Sequence, residues 1–223
     1  MDYMKQERLS SADLIQNSAN RVPVCLCVDA SYSMLQDHRI DHVNNGIRSF
    51  IQNSADDAYV CDSIDLCIIT FSGRGVQVLQ PFTNVKKLKG SFTDIVPSGG
   101  TPMGAAVRFA VEEITRQRES YETYGITSYR PWLILMSDGA ADDSVAEVAR
   151  RVREMQQTRQ LKVKCIGMGS GEESSDLAAF TLNERVETCG ALEIEHFFDF
   201  LSRSAAGLST AAPGEEDQYD IDV

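Results

Sequence analysis

Asp29, Ser31 and Ser33 place one carboxylate and two hydroxyls at alternating positions just after the apolar run 22–28. All three are hard oxygen donors, suited to Mg²⁺ or Mn²⁺ rather than to zinc or copper. The pattern alone is weak, because Asp and Ser are ordinary turn residues. Two further segments strengthen it. In Ser98-Gly99-Gly100-Thr101-Pro102-Met103-Gly104 a flexible Gly pair delivers a threonine before a proline, which predicts Thr101 at a helix N-cap and Pro102 at the first helical position. In 132–139 a second apolar run ends in Ser137-Asp138-Gly139, so Asp138 falls where a buried strand leaves its sheet. Ligand sites in open α/β sheets collect outside the carboxyl ends of the strands, where these three segments can meet. Separately, the acids would cap helices and the hydroxyls would satisfy loop amides. Jointly, Asp29, Ser31, Ser33, Thr101 and Asp138 make an oxygen cage for one divalent ion.

The elements that must position this cage are legible from periodicity. The β-branched run 22–28 reads as a strand, and Ile40, Val43, Ile47, Phe50 and Ile51 mark a helix over 36–53. Segments 64–71 and 76–80, joined by Ser72-Gly73-Arg74-Gly75, read as a hairpin that puts one antiparallel strand at the sheet edge. An irregular connector over 84–97, with a helical turn at 85–88, leads to a helix from Met103 to about residue 119. A polar loop, the strand from Trp132, a helix carrying Val145, Val148, Ala149, Val152 and Met155, and a strand over 161–168 follow. A short helix near 174–182, a weak strand near 185–189 and a final helix over 195–208 complete the series. This rhythm predicts an α/β fold: a doubly wound, mostly parallel sheet with one antiparallel edge strand and helices on both faces. The chain divides into an N-terminal extension over 1–20 with a short helix at 11–16, a domain over 21–209, and an acidic tail over 210–223 whose composition reads as disordered.

The excess of 33 acids over 21 basic residues, a formal charge of −12, argues against a nucleic-acid surface. No signal peptide and no apolar stretch of membrane-spanning length is visible, so the expectation is a cytoplasmic protein without a membrane partner. Six cysteines with apolar neighbours read as buried free thiols. Other motifs are weaker. His38 and His42 stand one helical turn apart, but Arg39 occupies the position that a metalloprotease gives to Glu. Gly167-x-Gly169 lacks the third glycine of a dinucleotide loop, since Glu172 stands there. Asp142 and Asp143 read as acids at the N-terminus of the helix that follows them. The Phe197-Phe198-Phe200-Leu201 cluster reads as core, with Phe200 pointing away from the main face.

On the Asp-x-Ser-x-Ser segment, the distant Thr101 and the distant Asp138, the chain resembles the von Willebrand factor A domain family, whose metal-ion-dependent adhesion site uses this set. The resemblance runs from about Arg21 to Leu208. The Gly-Gly-Thr-Pro-Met-Gly loop and the aromatic, Ser-rich final helix resemble the TerY-like subgroup of bacterial tellurium-resistance and stress systems. The resemblance implies that Ser31, Ser33 and Thr101 ligate Mg²⁺ directly, with Mn²⁺ or Ca²⁺ as alternatives, and that Asp29 and Asp138 hold its waters. It implies a non-enzymatic interaction module whose metal binds an Asp or Glu donated by a protein partner, such as a Ser/Thr kinase or a PP2C-like phosphatase. A metal-dependent phosphohydrolase and a structural A domain with a non-functional metal site are the rival readings. Hydrolysis is disfavoured because no acid/base partner is placed for Asp29. The acidic tail is a further candidate donor of the open ligand, through Glu215, Glu216 or Asp217.

Overall fold

A computed structural model describes residues 12, 16–168 and 175–210. The first apolar run forms β1 (Val22–Asp29), buried along its whole length, and β2 (Ile64–Ser72) pairs with it in parallel. The hairpin partner β3 (Gly75–Asn84) is the antiparallel edge strand. With β4 (Trp132–Ser137), β5 (Lys162–Gly167) and β6 (Glu187–Thr188), the sheet runs β3-β2-β1-β4-β5-β6, and every pairing except β2 with β3 is parallel. The doubly wound fold read from the sequence is the one observed. β3 extends past the expected stop at Gln80 and carries Pro81 inside it. An edge strand tolerates proline because its outward N–H has no ladder partner to lose, and the pairing shifts register between Leu66 and Ile69.

Helices cover both faces. α1 (Arg39–Asp56) and α6 (Ala191–Thr210) lie on one side, over Val22, Val24, Leu26 and Val28 of β1. α3 (Met103–Thr123) and α4 (Ala146–Gln157) lie on the other, over Cys25 and Cys27. The alternation of β1 residues between the two cores is the period-2 geometry of a strand buried on both sides. The short α2 (Val85–Leu88) and α5 (Ser175–Ala178) bridge loops. α1 and α6 approach so closely at Gly46 that a Cβ there would stand 2.1 Å from the ring of Phe198. Phe197 and Phe198 are both buried, so the aromatic helix belongs to the core. All six cysteines are free and buried.

Helix α1 begins three residues later than the periodicity predicts. Tyr32–His38 form a 3₁₀ segment, broken by extended Gln36 and by left-handed Asp37 and His38, at φ 49° and 56°. Among the described residues no helix is long and apolar enough to cross a membrane. Residues 1–11, 13–15 and 211–223, which hold most of the expected extension and the acidic tail, lie outside the described residues, as does Gly169 of the Gly-x-Gly pair.

Candidate metal centre

The carboxyl ends of β1 and β4 bring four of the five candidate residues into one hydrogen-bonded run. Asp29 is fully buried; its Oδ1 accepts from the Ser31 amide at 2.7 Å and its Oδ2 from Ser137 Oγ at 2.5 Å. Ser31 Oγ lies 2.8 Å from Ser33 Oγ, and Ser33 Oγ donates to Asp138 Oδ1 at 2.7 Å. The remaining oxygen, Asp138 Oδ2, accepts from Arg39 Nη1 at 2.7 Å. The alternation of Asp29, Ser31 and Ser33 thus serves the site: the aspartate fixes the turn through a backbone amide, and the hydroxyls face one another.

Thr101 joins through its backbone. Ser98 N–H donates to Ala30 O at 2.7 Å, which stitches the threonine loop to the β1 exit. The loop then passes over the β2–β3 turn with no room for side chains: a Cβ on Gly73 would lie 1.7 Å from Gly99 O. Gly100, at φ 85°, turns the chain so that Thr101 is buried beside it. Thr101 N–H donates to Asp142 Oδ2, and Asp142 N–H returns a bond to Thr101 O at 2.9 Å. Helix α3 starts at Met103 with Pro102 as its N-cap residue, so neither Thr101 nor Pro102 holds the expected position. The cap comes from elsewhere in the chain: the Asp143 carboxylate accepts from Gly104 and Ala105 N–H, both at 2.8 Å.

Asp142 and Asp143 therefore act at a helix N-terminus as expected of acids, but at that of α3 rather than of their own α4, which begins at Ala146. An acid pair four residues past Asp138 is the one sequence signal for this clamp. Arg39 was legible only as the residue that spoils a zinc motif. The histidines do not converge: His38 Nδ1 lies 2.9 Å from Asp41 Oδ2 and precedes α1, while His42 faces Glu195. Among the described residues no group of three His, Cys, Asp or Glu side chains gathers to hold a metal.

The electrostatics of the oxygen cluster are unbalanced. Burial pushes the Asp29 carboxyl up to about 6; the hydrogen bonds from Ser137 and Ser31 oppose the rise, and the charge of Asp138 adds to it. Of the two buried carboxylates Asp138 pairs with Arg39, and Asp29 has no cation of its own among the described residues. A desolvated carboxylate beside a second one gains most from a nearby cation. The donor set of two carboxylates and three hydroxyls fits a hard divalent ion.

A family model described as von Willebrand factor type A domain matches residues 24–202. No curated protein sequence matches the chain significantly. Among solved structures, the von Willebrand domain of the type V pili tip protein Mfa5 from Porphyromonas gingivalis superposes with a TM-score of 0.64 at 12% identity, over 87% of this chain and 98% of that one. The pilus adhesin SpaC from Lactobacillus rhamnosus GG gives 0.67 at 14% identity, over 84% of this chain and 30% of that one. Proximal thread matrix protein 1 from the mussel byssus, in a form described as having a zinc-occupied MIDAS motif, gives 0.61 at 15% identity over 85% of this chain. The chain spans about half the length of that mussel protein, 47% of it. At these identities the superpositions speak for the fold, and the family match over most of the sequence goes further: the chain belongs to the von Willebrand factor type A domain family.

Proposed function

We propose that this domain binds one divalent cation, Mg²⁺ by preference with Mn²⁺ or Ca²⁺ as alternatives, and uses it to hold an Asp or Glu side chain of a protein partner. The observation that carries this reading is the unbroken hydrogen-bonded run from Asp29 through Ser31 and Ser33 to Asp138, with the Thr101 loop stitched beside it. The hydroxyls of Ser31, Ser33 and Thr101 would ligate the ion, and Asp29 and Asp138 would hold its waters. A direct shell of neutral oxygens leaves the cation more of its charge, which favours an incoming carboxylate. The zinc-occupied motif of the mussel protein supports a metal on this fold.

The rim supports a protein partner. Tyr32, Leu35 and Val96 are 65, 57 and 68% exposed, and all three lie on the segments that carry or lead to the site residues. Apolar side chains around a carboxylate-seeking centre suit a protein surface better than a small phosphoester. A binding role, rather than phosphoester hydrolysis, is also supported by the state of the carboxylates. Each carboxylate oxygen accepts a hydrogen bond, and among the described residues neither carboxylate bonds to a histidine that would relay a proton. The TerY-like reading, with a Ser/Thr kinase or PP2C-like phosphatase as partner, rests on the Gly-Gly-Thr-Pro-Met-Gly loop and the Ser-rich final helix. Six buried free thiols fit a reducing, cytoplasmic setting.

Thermal unfolding in Mg²⁺ and in EDTA tests the site. At a hundredfold excess over Kd a ligand stabilises by about 2.7 kcal/mol, which is roughly 5–10 °C for a domain of this size. The wild type is expected to show that rise, and Thr101→Ala and Asp29→Ala to lose it while remaining folded. Equal rises in all three would sink the site, and Mg²⁺-dependent turnover of a generic phosphoester by purified protein would favour the hydrolase.

A further inference from the structure

Arg39 supplies the cation that touches the oxygen cluster. Its Nη1 donates to Asp138 Oδ2 at 2.7 Å, its side chain is 16% exposed, and the Asp138 side chain is fully buried. Its other terminal nitrogen lies 3.6 Å from a carboxylate oxygen of exposed Asp37. The chain places this arginine against two local preferences. Asp37 and His38 are consecutive left-handed residues without being glycine, a backbone that L side chains adopt at an energetic cost. Arg39 is also the first residue of α1, where the positive end of the helix dipole disfavours a guanidinium. Local costs of this kind persist where the surroundings over-determine them, and here the partner that does so is Asp138.

We propose that Arg39 is a resident counter-ion of the centre: it pairs with Asp138 when no metal is bound and competes with the divalent cation for that carboxylate. The inference rests on the metal reading above. The cluster carries two carboxylates and Arg39 offsets one of them, so an arriving divalent ion meets a fixed positive charge held by the same side chain. Charge interactions at this range in a partly buried site are strong enough to change an affinity by an order of magnitude. Arg39 is thus an affinity-setting residue rather than a ligand. It keeps Asp138 in place before the metal arrives, at the expense of how tightly the metal then binds.

The test is a calorimetric titration of the full chain with Mg²⁺ for the wild type, Arg39→Gln and Arg39→Lys, with unfolding temperatures measured in EDTA and in saturating Mg²⁺. Arg39→Gln is expected to bind Mg²⁺ about tenfold more tightly or better. It should melt below the wild type in EDTA, with the gap narrowing in Mg²⁺. Arg39→Lys keeps the charge and is expected to stay within about threefold of the wild type. Binding by Arg39→Gln that is no tighter than the wild type, or weaker, overturns the inference and makes Arg39 a positioning residue alone. Absence of Mg²⁺ binding in both proteins overturns the metal reading and this inference together. Should Arg39→Gln not fold, the wild type still decides the matter by NMR. Guanidinium protons of Arg39 that gain solvent exchange on Mg²⁺ saturation support competition, and protons protected equally with and without Mg²⁺ refute it.

Discussion

The two ends of the sheet each bury an aspartate, and they treat it differently. At the amino end, Asp65 of β2 lies 3.8 Å from the Arg21 guanidinium and accepts from the Tyr121 hydroxyl at 2.6 Å, all three side chains being buried. Arg21 is held in turn by the backbone oxygens of Asp62 and Asn17. Burial and the Asp65 charge push the Tyr121 phenol well up, so it remains a donor. At the carboxyl end, Asp29 accepts from one hydroxyl and one amide, and its neighbour Asp138 takes the Arg39 guanidinium. The chain completes the first charge by itself. Around the second it assembles oxygens and pairs only the neighbouring Asp138 with a guanidinium, that of Arg39, and the divalent ion proposed above would supply the remaining positive charge.

Breaking the amino-end pair should have the largest effect. Asp65→Ala strands a buried guanidinium and is expected to cost about 3–5 kcal/mol in urea unfolding, equally with and without Mg²⁺. A loss much smaller in Mg²⁺ would mean that the two ends are coupled.

The pH dependence of the carboxyl end comes next. The folded-state value for Asp29, about 6, lies above its ordinary 3.8, so the folded protein holds that proton more tightly than the unfolded chain. Metal-free stability should therefore fall as pH rises between about 4 and 6 and level off above, by at most about 3 kcal/mol from this group. Asp29→Asn should flatten that part of the profile relative to the wild type, and Mg²⁺ should flatten it in the wild type by favouring the charged form. Superimposable wild-type and Asn profiles in EDTA would show that Asp29 carries no unbalanced charge.

Gly73→Ala separates position from charge. Its Cβ would collide with Gly99 O, so the threonine loop must shift, at about 1–3 kcal/mol by the usual penalty for overpacking. The Mg²⁺-induced rise in melting temperature should shrink although all five site residues remain. An undiminished rise would mean that Thr101 is not held by this contact. Smallest of all, His42→Ala should change stability by less than about 0.5 kcal/mol, since it loses one partly exposed pair with Glu195. It should also leave Mg²⁺ binding alone.

Much of this was legible in the sequence. Strands buried on both faces read as unbroken apolar runs, and the helices carry clear stripes, so the doubly wound, mostly parallel sheet and its antiparallel edge followed from local pattern, whereas the strand order did not. Asp29, Ser31, Ser33 and Asp138 were legible because their chemistry sits at strand exits. What escaped depends on contacts between distant segments. Asp143 caps α3 from 39 residues away, a role that no window around either residue contains. Arg39 meets Asp138 across 99 residues of sequence, after two left-handed residues that no local pattern placed. β3 runs past the expected stop at Gln80 and through Pro81, because pairing with β2 resumes beyond the register shift at a sheet edge that tolerates proline.

Whether a divalent ion sits among Ser31, Ser33 and Thr101 is tested most directly by the anomalous difference map of a crystal soaked in Mn²⁺. One strong peak is expected at about 2.0–2.3 Å from the three hydroxyl oxygens, with Asp29 and Asp138 reaching it through water. A map with no peak there at saturating Mn²⁺, or with its strongest peak at His38, His42 or the exposed acids, would contradict it.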